Sequence, residues 1–316
     1  MREHSINIRN INNHWGSSVP VPLTLLDELG LQDEMIDIKP LFSSPEFNQQ
    51  VIITFDSLIP AIHKSPEAKE KAKAIALNCF MKFKEKIEIK QYWLLFTTGH
   101  WLKNWLIEQG FPASRIHAVG GINVGSSLID PQPKSHNKIL FIGKDFKRKG
   151  GYITYEAFKL LREQGEKVEL YVIGPKQDPI DNPVDGYHFV GQISFNEEAK
   201  YYNMCDVFCM PSYFEAYGLV FIEALTFGLP CIGRDCYEMP YFIQDGETGL
   251  LLKHDDPHDL ASLMLQVLRD DKYANNVAAH HAQYLRDYSW DAVAERMAKV
   301  IGWNFKDKKE AKWKCI

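Results

Sequence analysis

The hydrophobic pattern of the chain alternates between short apolar runs and longer segments whose apolar residues recur every three or four positions. The run 139–142 is apolar and β-branched, which is typical of a buried strand. Segments 152–164 and 219–227 have helical spacing, and Gly165 and Gly228 end them. This alternation of strands and helices predicts an α/β protein, with a parallel sheet and helices on its faces.

The same pattern assigns the other elements. The predicted strands are 6–11, 51–55, 92–96, 116–119, 139–142, 168–173, 187–190, 207–210, 231–233 and 249–252. The predicted helices are 22–29, 66–90, 101–109, 152–164, 197–205, 219–227, 257–268, 272–286 and 290–301.

A polar, turn-rich stretch at 130–136 interrupts the alternation and predicts a domain boundary. With 316 residues, the chain is long enough for two domains that each have a core. We therefore expect one α/β domain at 1–134 and a second at 135–288. The last segment, 289–316, is expected to pack back on the first domain.

Composition narrows the class of protein without identifying it. With 45% hydrophobic and 24% charged residues, the chain has the composition of a globular protein. No run of 18 apolar residues occurs, the first residues are polar, and the six cysteines form no Cys-x-x-Cys pair. A cytoplasmic protein with reduced thiols is therefore expected. The net charge of −5 argues against a nucleic-acid-binding protein, which would carry a basic face.

The most informative segment is 211–224, in which a predicted strand ends, a loop carries Glu215, and a helix begins near Gly218. In an open parallel sheet, ligands bind at the carboxyl ends of the strands. The free N–H groups of the first helical turn and the helix dipole favour a diphosphate there. Glu223, on the same helix, would repel phosphate but can accept hydrogen bonds from two ribose hydroxyls. The alternative is that both glutamates are ordinary acids at a helix start.

A second loop, 143–151, also follows a predicted strand and precedes a predicted helix. Four cations, Lys144, Lys147, Arg148 and Lys149, lie in this loop and are flanked by glycines. Such a cluster is typical of a phosphate clamp. It is equally typical of a solvated basic loop, so this segment alone does not decide between the two.

Together these segments resemble the nucleotide-binding half of family-4 retaining glycosyltransferases. Their GT-B fold has two Rossmann-like domains that face each other across a cleft. That family carries Gly-Arg-x4-Lys-Gly and Pro-Ser-x-x-Glu-x-Phe-Gly-x4-Glu-Ala. Here Lys149 and Gly150 fall on the Lys-Gly position, and Glu215 and Glu223 have the spacing of the two glutamates. Further matches occur at 172–174, 189–191, 228–230 and 245–251. The resemblance covers 138–304, and the amino-terminal domain is short for the family and matches loosely.

The resemblance implies metal-independent transfer of a sugar, with retention of configuration, from a UDP- or GDP-linked donor to a glycan or lipid-linked acceptor. The expected setting is polysaccharide or glycolipid synthesis. The implied catalytic residues are Glu215 at the donor sugar, and Lys149 and Arg148 at the diphosphate. The implied donor-binding residues are Lys144, Gly174, Ile193, Tyr217, Gly218, Leu219, Val220 and Glu223. No Asp-x-Asp motif occurs, in keeping with cationic side chains in place of a metal.

Several positions of the chain depart from the family's pattern. Lys144 stands where the family usually has arginine; because lysine lacks the bidentate fork, we expect Arg148 to supply that contact. Asp56 stands where relatives often carry histidine, and Gly16 is the available glycine in a loop that is usually Gly-Gly. Gly16 and Asp56 are the predicted contacts of the amino-terminal domain with donor sugar or acceptor.

Two segments, 64–90 and 303–314, mix lysines with apolar and aromatic residues. Such mixtures suit the surface of an anionic bilayer. They suit solvated helices equally well. Peripheral attachment to the inner face of a membrane is therefore one of two open interpretations.

Other functions compete with sugar transfer. A nucleotide-dependent oxidoreductase would need Gly-x-Gly-x-x-Gly after a strand, and the chain contains no Gly-x-Gly. A phosphorylase or a nucleotide-sugar epimerase could share the fold, as could a partner subunit that binds nucleotide sugar with little catalysis. The sequence specifies neither the donor sugar nor the acceptor.

Overall fold

The computed structural model describes residues 95–301, except 109, 111, 121–127, 133 and 216. The elements predicted before residue 95, the contacts Gly16 and Asp56, and the lysine-rich segments lie outside the described residues. The strands are β1 (Leu95–Thr97), β2 (Ile116–Ala118), β3 (Lys138–Ile142), β4 (Glu169–Ile173), β5 (Tyr187–Gly191), β6 (Val207–Cys209), β7 (Cys231–Arg234) and β8 (Gly249–Leu252). The α-helices are α1 (His100–Glu108), α2 (Gly151–Glu163), α3 (Phe195–Met204), α4 (Leu219–Thr226), α5 (Met239–Phe242), α6 (Pro257–Arg269), α7 (Lys272–Ala279), α8 (His281–Asp287) and α9 (Trp290–Ile301).

Strands β3 to β8 form one parallel sheet in the order β5-β4-β3-β6-β7-β8. In β3, Ile139 lies opposite Leu170 of β4 on one side and opposite Val207 of β6 on the other. The chain thus runs outward from β3 to one edge, returns to the centre, and runs outward to the other edge. Ligands bind at the carboxyl ends of the strands where the order reverses, which here means β3 and β6. The predicted α/β class is confirmed.

The core explains why the central strands are mostly apolar. Ile139, Leu140 and Phe141 of β3 are fully buried, as expected for a parallel strand covered on both faces. Helix α2 packs against α6, and α4 packs against α8. Leu161 of α2 and Met264 of α6 belong to the same buried cluster as the strands.

Asp206, just before β6, fixes the segment that leads into β3. Its carboxylate accepts hydrogen bonds from the backbone N–H groups of Ser135 (3.0 Å), Asn137 (2.9 Å) and Lys138 (2.8 Å) and from the Ser135 hydroxyl (2.8 Å). Burial opposes ionisation of Asp206, but these hydrogen bonds prevail and lower its pKa. The start of β3 is thereby joined to the start of β6.

Two helices differ from the predictions of the pattern. The single helix predicted at 272–286 is divided into α7 and α8 at His280. The ring Nδ1 of His280 lies 2.7 Å from the carbonyl oxygen of Asn276, and the backbone N–H of His280 lies 3.3 Å from the same oxygen. The ring therefore competes with the backbone for this acceptor. The pattern predicts no helix at α5, because four residues are too short to show helical periodicity.

Contacts divide the chain into two units. The larger comprises 98–102 and 120–289 and contains the six-stranded sheet. The smaller comprises 1–97, 103–119 and 290–316, and its described elements include the parallel pair β1–β2 and helix α9. Within the smaller unit, Nε of Arg296 on α9 donates a hydrogen bond to the carbonyl oxygen of Val119 (2.6 Å).

Candidate functional site

Two loops meet at the carboxyl ends of β3 and β6. The basic loop, 143–150, follows β3, and the glutamate loop, 210–218, follows β6. They touch at Gly150, whose φ of 78° lies in the left-handed region. A Cβ at Gly150 would lie 2.4 Å from the carbonyl oxygen of Pro211, so glycine is required for the two backbones to come this close.

Lys149 of the basic loop and Glu215 of the glutamate loop form a direct ion pair. The Lys149 side chain is 14% exposed and that of Glu215 is 9% exposed, so both charges are largely removed from water. Burial lowers the pKa of Lys149, although the Glu215 carboxylate opposes this by favouring the ammonium form. Since each partner offsets the cost of burying the other, an anion that reached Lys149 would compete with Glu215.

Glycines on both sides make room for this pair. A Cβ at Gly143 would lie 2.9 Å from Cβ of Lys149, so Lys149 folds back over the start of the basic loop. Gly218 has a φ of 92°, and a Cβ there would lie 2.9 Å from Cγ of Glu215. The Glu215 side chain therefore lies against the residue at which α4 begins.

Arg148, the expected second phosphate ligand, is directed toward the glutamate loop. Its Nη1 donates to the carbonyl oxygen of Phe214 (2.8 Å), and its Nε donates to the Asp145 carboxylate (3.2 Å). The guanidinium thus braces the loop that carries Glu215. These two bonds use two of the five N–H groups of the guanidinium.

The start of α4 combines an open backbone with a packed aromatic ring. No side chain in the described part of the chain caps the helix at Gly218. Leu219 is exposed and Val220 is partly buried. Tyr217, by contrast, is buried and packs edge-on against Phe242, with ring centroids 5.1 Å apart. The Tyr217 ring is therefore part of the core.

Glu223 lies further along α4 and is partly buried. Burial raises the pKa of Glu223 to about 7; the hydroxyl of Tyr202, which donates to the carboxylate at 2.9 Å, lowers the pKa, and Glu198 raises it. Tyr202 is fully buried, and its ring stacks on Phe227 with centroids 5.0 Å apart. A core tyrosine thus fixes this carboxylate.

The loop after β4 lies close to the basic loop at Gly174. This glycine has a φ of 113°, and a Cβ there would lie 2.7 Å from the carbonyl carbon of Gly143. Lys144, beside Gly143, is exposed. Burial raises the pKa of Glu198 on α3, and the charge of Lys144 opposes that shift. Ile193, after β5, packs partly buried against the core.

The structure therefore brings Lys149, Arg148 and Glu215 together, whereas the carboxylate of Glu223 is bonded by Tyr202. Three residues that the sequence analysis did not single out, Tyr213, Arg234 and Asp255, support the glutamate loop. They lie far apart along the chain, and their one sequence signal is that each lies at or just after the end of a strand.

Two features are absent from the part of the chain that the structure describes. No group of three or more His, Cys, Asp or Glu side chains there is arranged to hold a metal ion. No helix there is long and apolar enough to cross a membrane.

Known sequences are similar to this chain over part of its length. Residues 129–283 match the family described as glycosyl transferases group 1. The chain is 27% identical over 209 residues to a phosphatidyl-myo-inositol mannosyltransferase of Mycobacterium leprae, covering 63% of this chain and 56% of the relative. It is 33% identical over 106 residues to a D-inositol 3-phosphate glycosyltransferase of Corynebacterium diphtheriae, covering 34% of this chain and 25% of the relative. The chain thus spans about half the length, or less, of these relatives.

Solved structures share the fold. The sucrose-phosphate synthase of Thermosynechococcus elongatus superposes with a TM-score of 0.59 at 20% identity, covering 78% of this chain and 65% of that one. The structure of Anabaena Alr3699/HepE in complex with UDP and glucose superposes with a TM-score of 0.59 at 16% identity. The match covers 81% of this chain and 75% of that one. These similarities confirm the predicted GT-B fold class.

Proposed function

Because residues 129–283 belong to the glycosyl transferases group 1 family, we propose that the protein moves a sugar from a nucleoside diphosphate to an acceptor hydroxyl with retention of configuration. The observation that carries this proposal is the buried Lys149–Glu215 pair at the carboxyl ends of two central strands, next to the open start of α4. A cation, helix N–H groups and a carboxylate at one point suit a ligand that joins a diphosphate to a sugar.

The donor diphosphate binds Lys149 and the N–H groups of Gly218, Leu219 and Val220. There the ammonium and the helix dipole stabilise the negative charge that develops as the bond to the sugar breaks. Once phosphate oxygens pair with Lys149, Glu215 is released to accept hydrogen bonds from hydroxyls of the donor sugar. This exchange of partners keeps both buried charges compensated. The oxygen of the acceptor hydroxyl then bonds to the sugar from the face that the diphosphate leaves, and its proton passes to the departing diphosphate.

The nucleoside lies toward Glu223, Gly174 and Ile193. Glu223, oriented by Tyr202, accepts hydrogen bonds from the ribose hydroxyls, and the backbone near Gly174 and Ile193 lines the base pocket. Lys144 adds positive charge at the basic loop. Arg148 adds charge there as well, and reaches the diphosphate on exchanging Asp145 as a partner.

The donor is a UDP- or GDP-linked sugar, and the cations take the place of a metal ion. The relatives named as phosphatidyl-myo-inositol mannosyltransferases support a lipid-linked acceptor in glycolipid synthesis. A glycan acceptor belongs to the same proposal. Peripheral attachment to the cytoplasmic face of a membrane would bring the enzyme to a lipid-linked acceptor.

The test incubates the purified chain with UDP-, GDP- and ADP-linked sugars together with glycan or lipid-linked acceptors, with and without a chelator. We expect turnover of one nucleotide class, an unchanged anomeric configuration by NMR, and no effect of the chelator. Lys149→Met should lose this activity, and Glu215→Gln should lower it strongly while leaving a measurable residual rate. An inverted product, sugar 1-phosphate or an epimerised donor would contradict the proposal. Donor binding without turnover would favour a nucleotide-sugar-binding partner subunit instead.

A further inference from the structure

Arg234 and Asp255 brace the glutamate loop through Pro211 and Tyr213, two residues of that loop. The guanidinium of Arg234 lies over the Tyr213 ring, 4.2 Å from its centroid. Its Nε donates to the carbonyl oxygen of Pro211 (3.3 Å), and its Nη2 donates to the Asp255 carboxylate (2.8 Å). The Tyr213 hydroxyl bonds the same carboxylate at 3.0 and 3.1 Å.

These residues join the carboxyl ends of three neighbouring strands. Pro211 follows β6, Arg234 is the last residue of β7, and Asp255 follows β8. Arg234 uses one edge of its guanidinium for a backbone carbonyl, another for a carboxylate, and its face for an aromatic ring. Of the natural side chains, only arginine offers this combination, because a lysine ammonium has neither the planar face nor the fork.

The contacts of Arg234 differ from those of an ordinary surface ion pair. Asp255 is 53% exposed, and a pair with it alone would contribute little. The Arg234 side chain, however, is 14% exposed and bonds the backbone of the loop itself. Its position therefore bears directly on the path of the glutamate loop.

Tyr213 is also held from the other side. Its backbone N–H donates to the carbonyl oxygen of Arg148 (2.9 Å), and the next carbonyl, that of Phe214, accepts from Arg148 Nη1 (2.8 Å). Of the two residues before Glu215, Tyr213 is thus held by both Arg148 and Arg234, and Phe214 is held by Arg148.

We propose that Arg234, together with Tyr213 and Asp255, is a positioning unit that fixes Glu215 for contact with the donor sugar. This inference rests on the proposed function of the site. Arg234 touches no reacting atom, and it acts through Pro211 and Tyr213. Its loss should therefore affect the sugar step more than the binding of the diphosphate.

The test compares Arg234→Ala and Tyr213→Phe with the control Arg286→Ala, whose exposed pair with Asp287 lies on α8. Affinity for UDP and GDP is measured beside kcat for consumption of the sugar donor. We expect Arg234→Ala to bind the diphosphate within about threefold of wild type and to lower kcat about 10- to 100-fold, as misplacement of a contact group does. Tyr213→Phe keeps the aromatic ring, so its kcat should fall less than that of Arg234→Ala. Arg286→Ala should match wild type.

A double-variant cycle separates positioning from general destabilisation. In a Glu215→Gln background, Arg234→Ala should lower kcat no further, because its effect passes through Glu215. An equal loss in both backgrounds, or an equal loss of diphosphate affinity, would overturn the proposal. If Arg234→Ala does not fold, Arg234→Lys takes its place in the cycle, since it keeps the charge and loses the stacked face.

The outcomes also separate this inference from the function on which it rests. A folded wild type that neither binds nor consumes any nucleotide sugar would refute the proposed function. An active wild type whose Arg234→Ala variant is equally active would refute the positioning role alone.

Discussion

At the scale of single residues, the pKa of Glu223 links the site to the stability of the protein. Burial raises this pKa from 4.5 to about 7, so the folded protein keeps a proton that the unfolded chain releases. The free energy of unfolding therefore falls as the pH rises from 4.5 through about 7, and the stability that Glu223 contributes is fully present only below that range. The shift is equivalent to at most about 3.4 kcal/mol.

Glu223→Gln removes this titration. Between about pH 5 and about pH 8, the variant should gain roughly 1–3 kcal/mol relative to wild type, because it carries no carboxylate that must ionise in a buried position. Urea unfolding at the two pH values measures the difference. A wild-type protein that loses no more stability than the variant over this interval would show that Glu223 ionises normally.

Lys149 and Glu215 are expected to be coupled in stability as well as in binding. Lys149→Met leaves the Glu215 carboxylate buried without its partner, which should cost about 1–3 kcal/mol. Adding Glu215→Gln should restore part of this loss, because no buried charge is then left unpaired. Urea unfolding of the two single variants and the double variant gives the coupling. Additive losses would mean that the pair is not formed in solution.

Some residues of the site could be predicted from the sequence and others could not. Lys149, Glu215 and Glu223 lie in motifs with fixed spacing after predicted strands, so each could be placed at the carboxyl end of the sheet. Arg234 and Asp255 are isolated positions that only the order of the strands brings beside the glutamate loop. The bond from Tyr202 to Glu223 joins two helices, and no local pattern encodes it.

At the scale of elements, the contact between the basic loop and the glutamate loop depends on Gly150. Gly165 provides a matched control, since its φ of 87° is also left-handed but nothing lies within 4 Å of an added Cβ. Gly165→Ala should cost about 1 kcal/mol for its backbone conformation. Gly150→Ala should cost clearly more and abolish diphosphate binding, because its Cβ would meet the Pro211 carbonyl oxygen at 2.4 Å. If Gly150→Ala and Gly165→Ala lost the same stability and Gly150→Ala still bound the diphosphate, the close approach of the two loops would be contradicted.

The strands and helices of the larger unit were predictable because glycines and polar residues end them and strand alternates with helix. The break between α7 and α8 was not, since a continuous helical pattern crosses residue 280 and one ring nitrogen decides the outcome. Likewise, the hydrophobic periodicity does not predict that Asp206 accepts hydrogen bonds from the backbone at the start of β3. Its partners lie about 70 residues away in the sequence.

At the scale of the whole molecule, the resemblance of one half was enough to predict the fold class, because the motifs occur in order along the entire larger sheet. The amino-terminal contacts Gly16 and Asp56 stay predictions, as does the domain boundary at 134. Only the family resemblance assigns recognition of the acceptor to the amino-terminal domain; no residue of the described site does so.

The lysine-rich segments 64–90 and 303–314 give a prediction that concerns the whole chain. If they lie on a membrane surface, the protein should sediment with vesicles containing anionic lipid at low salt and be released at high salt, because the attraction is electrostatic. Vesicles of neutral lipid are the control. Equal recovery in the supernatant with both vesicles would leave these segments as solvated helices.

The most direct test of the central claim, that this site binds a nucleotide sugar, is thermal unfolding against UDP-, GDP- and ADP-linked sugars, with Glu223→Ala as the control. Ligand at a hundred times its dissociation constant should stabilise the folded protein by about 2.7 kcal/mol. We predict that one nucleotide class raises the unfolding temperature of the wild type and not that of the variant. A folded wild type that none of the three classes stabilises would contradict the claim.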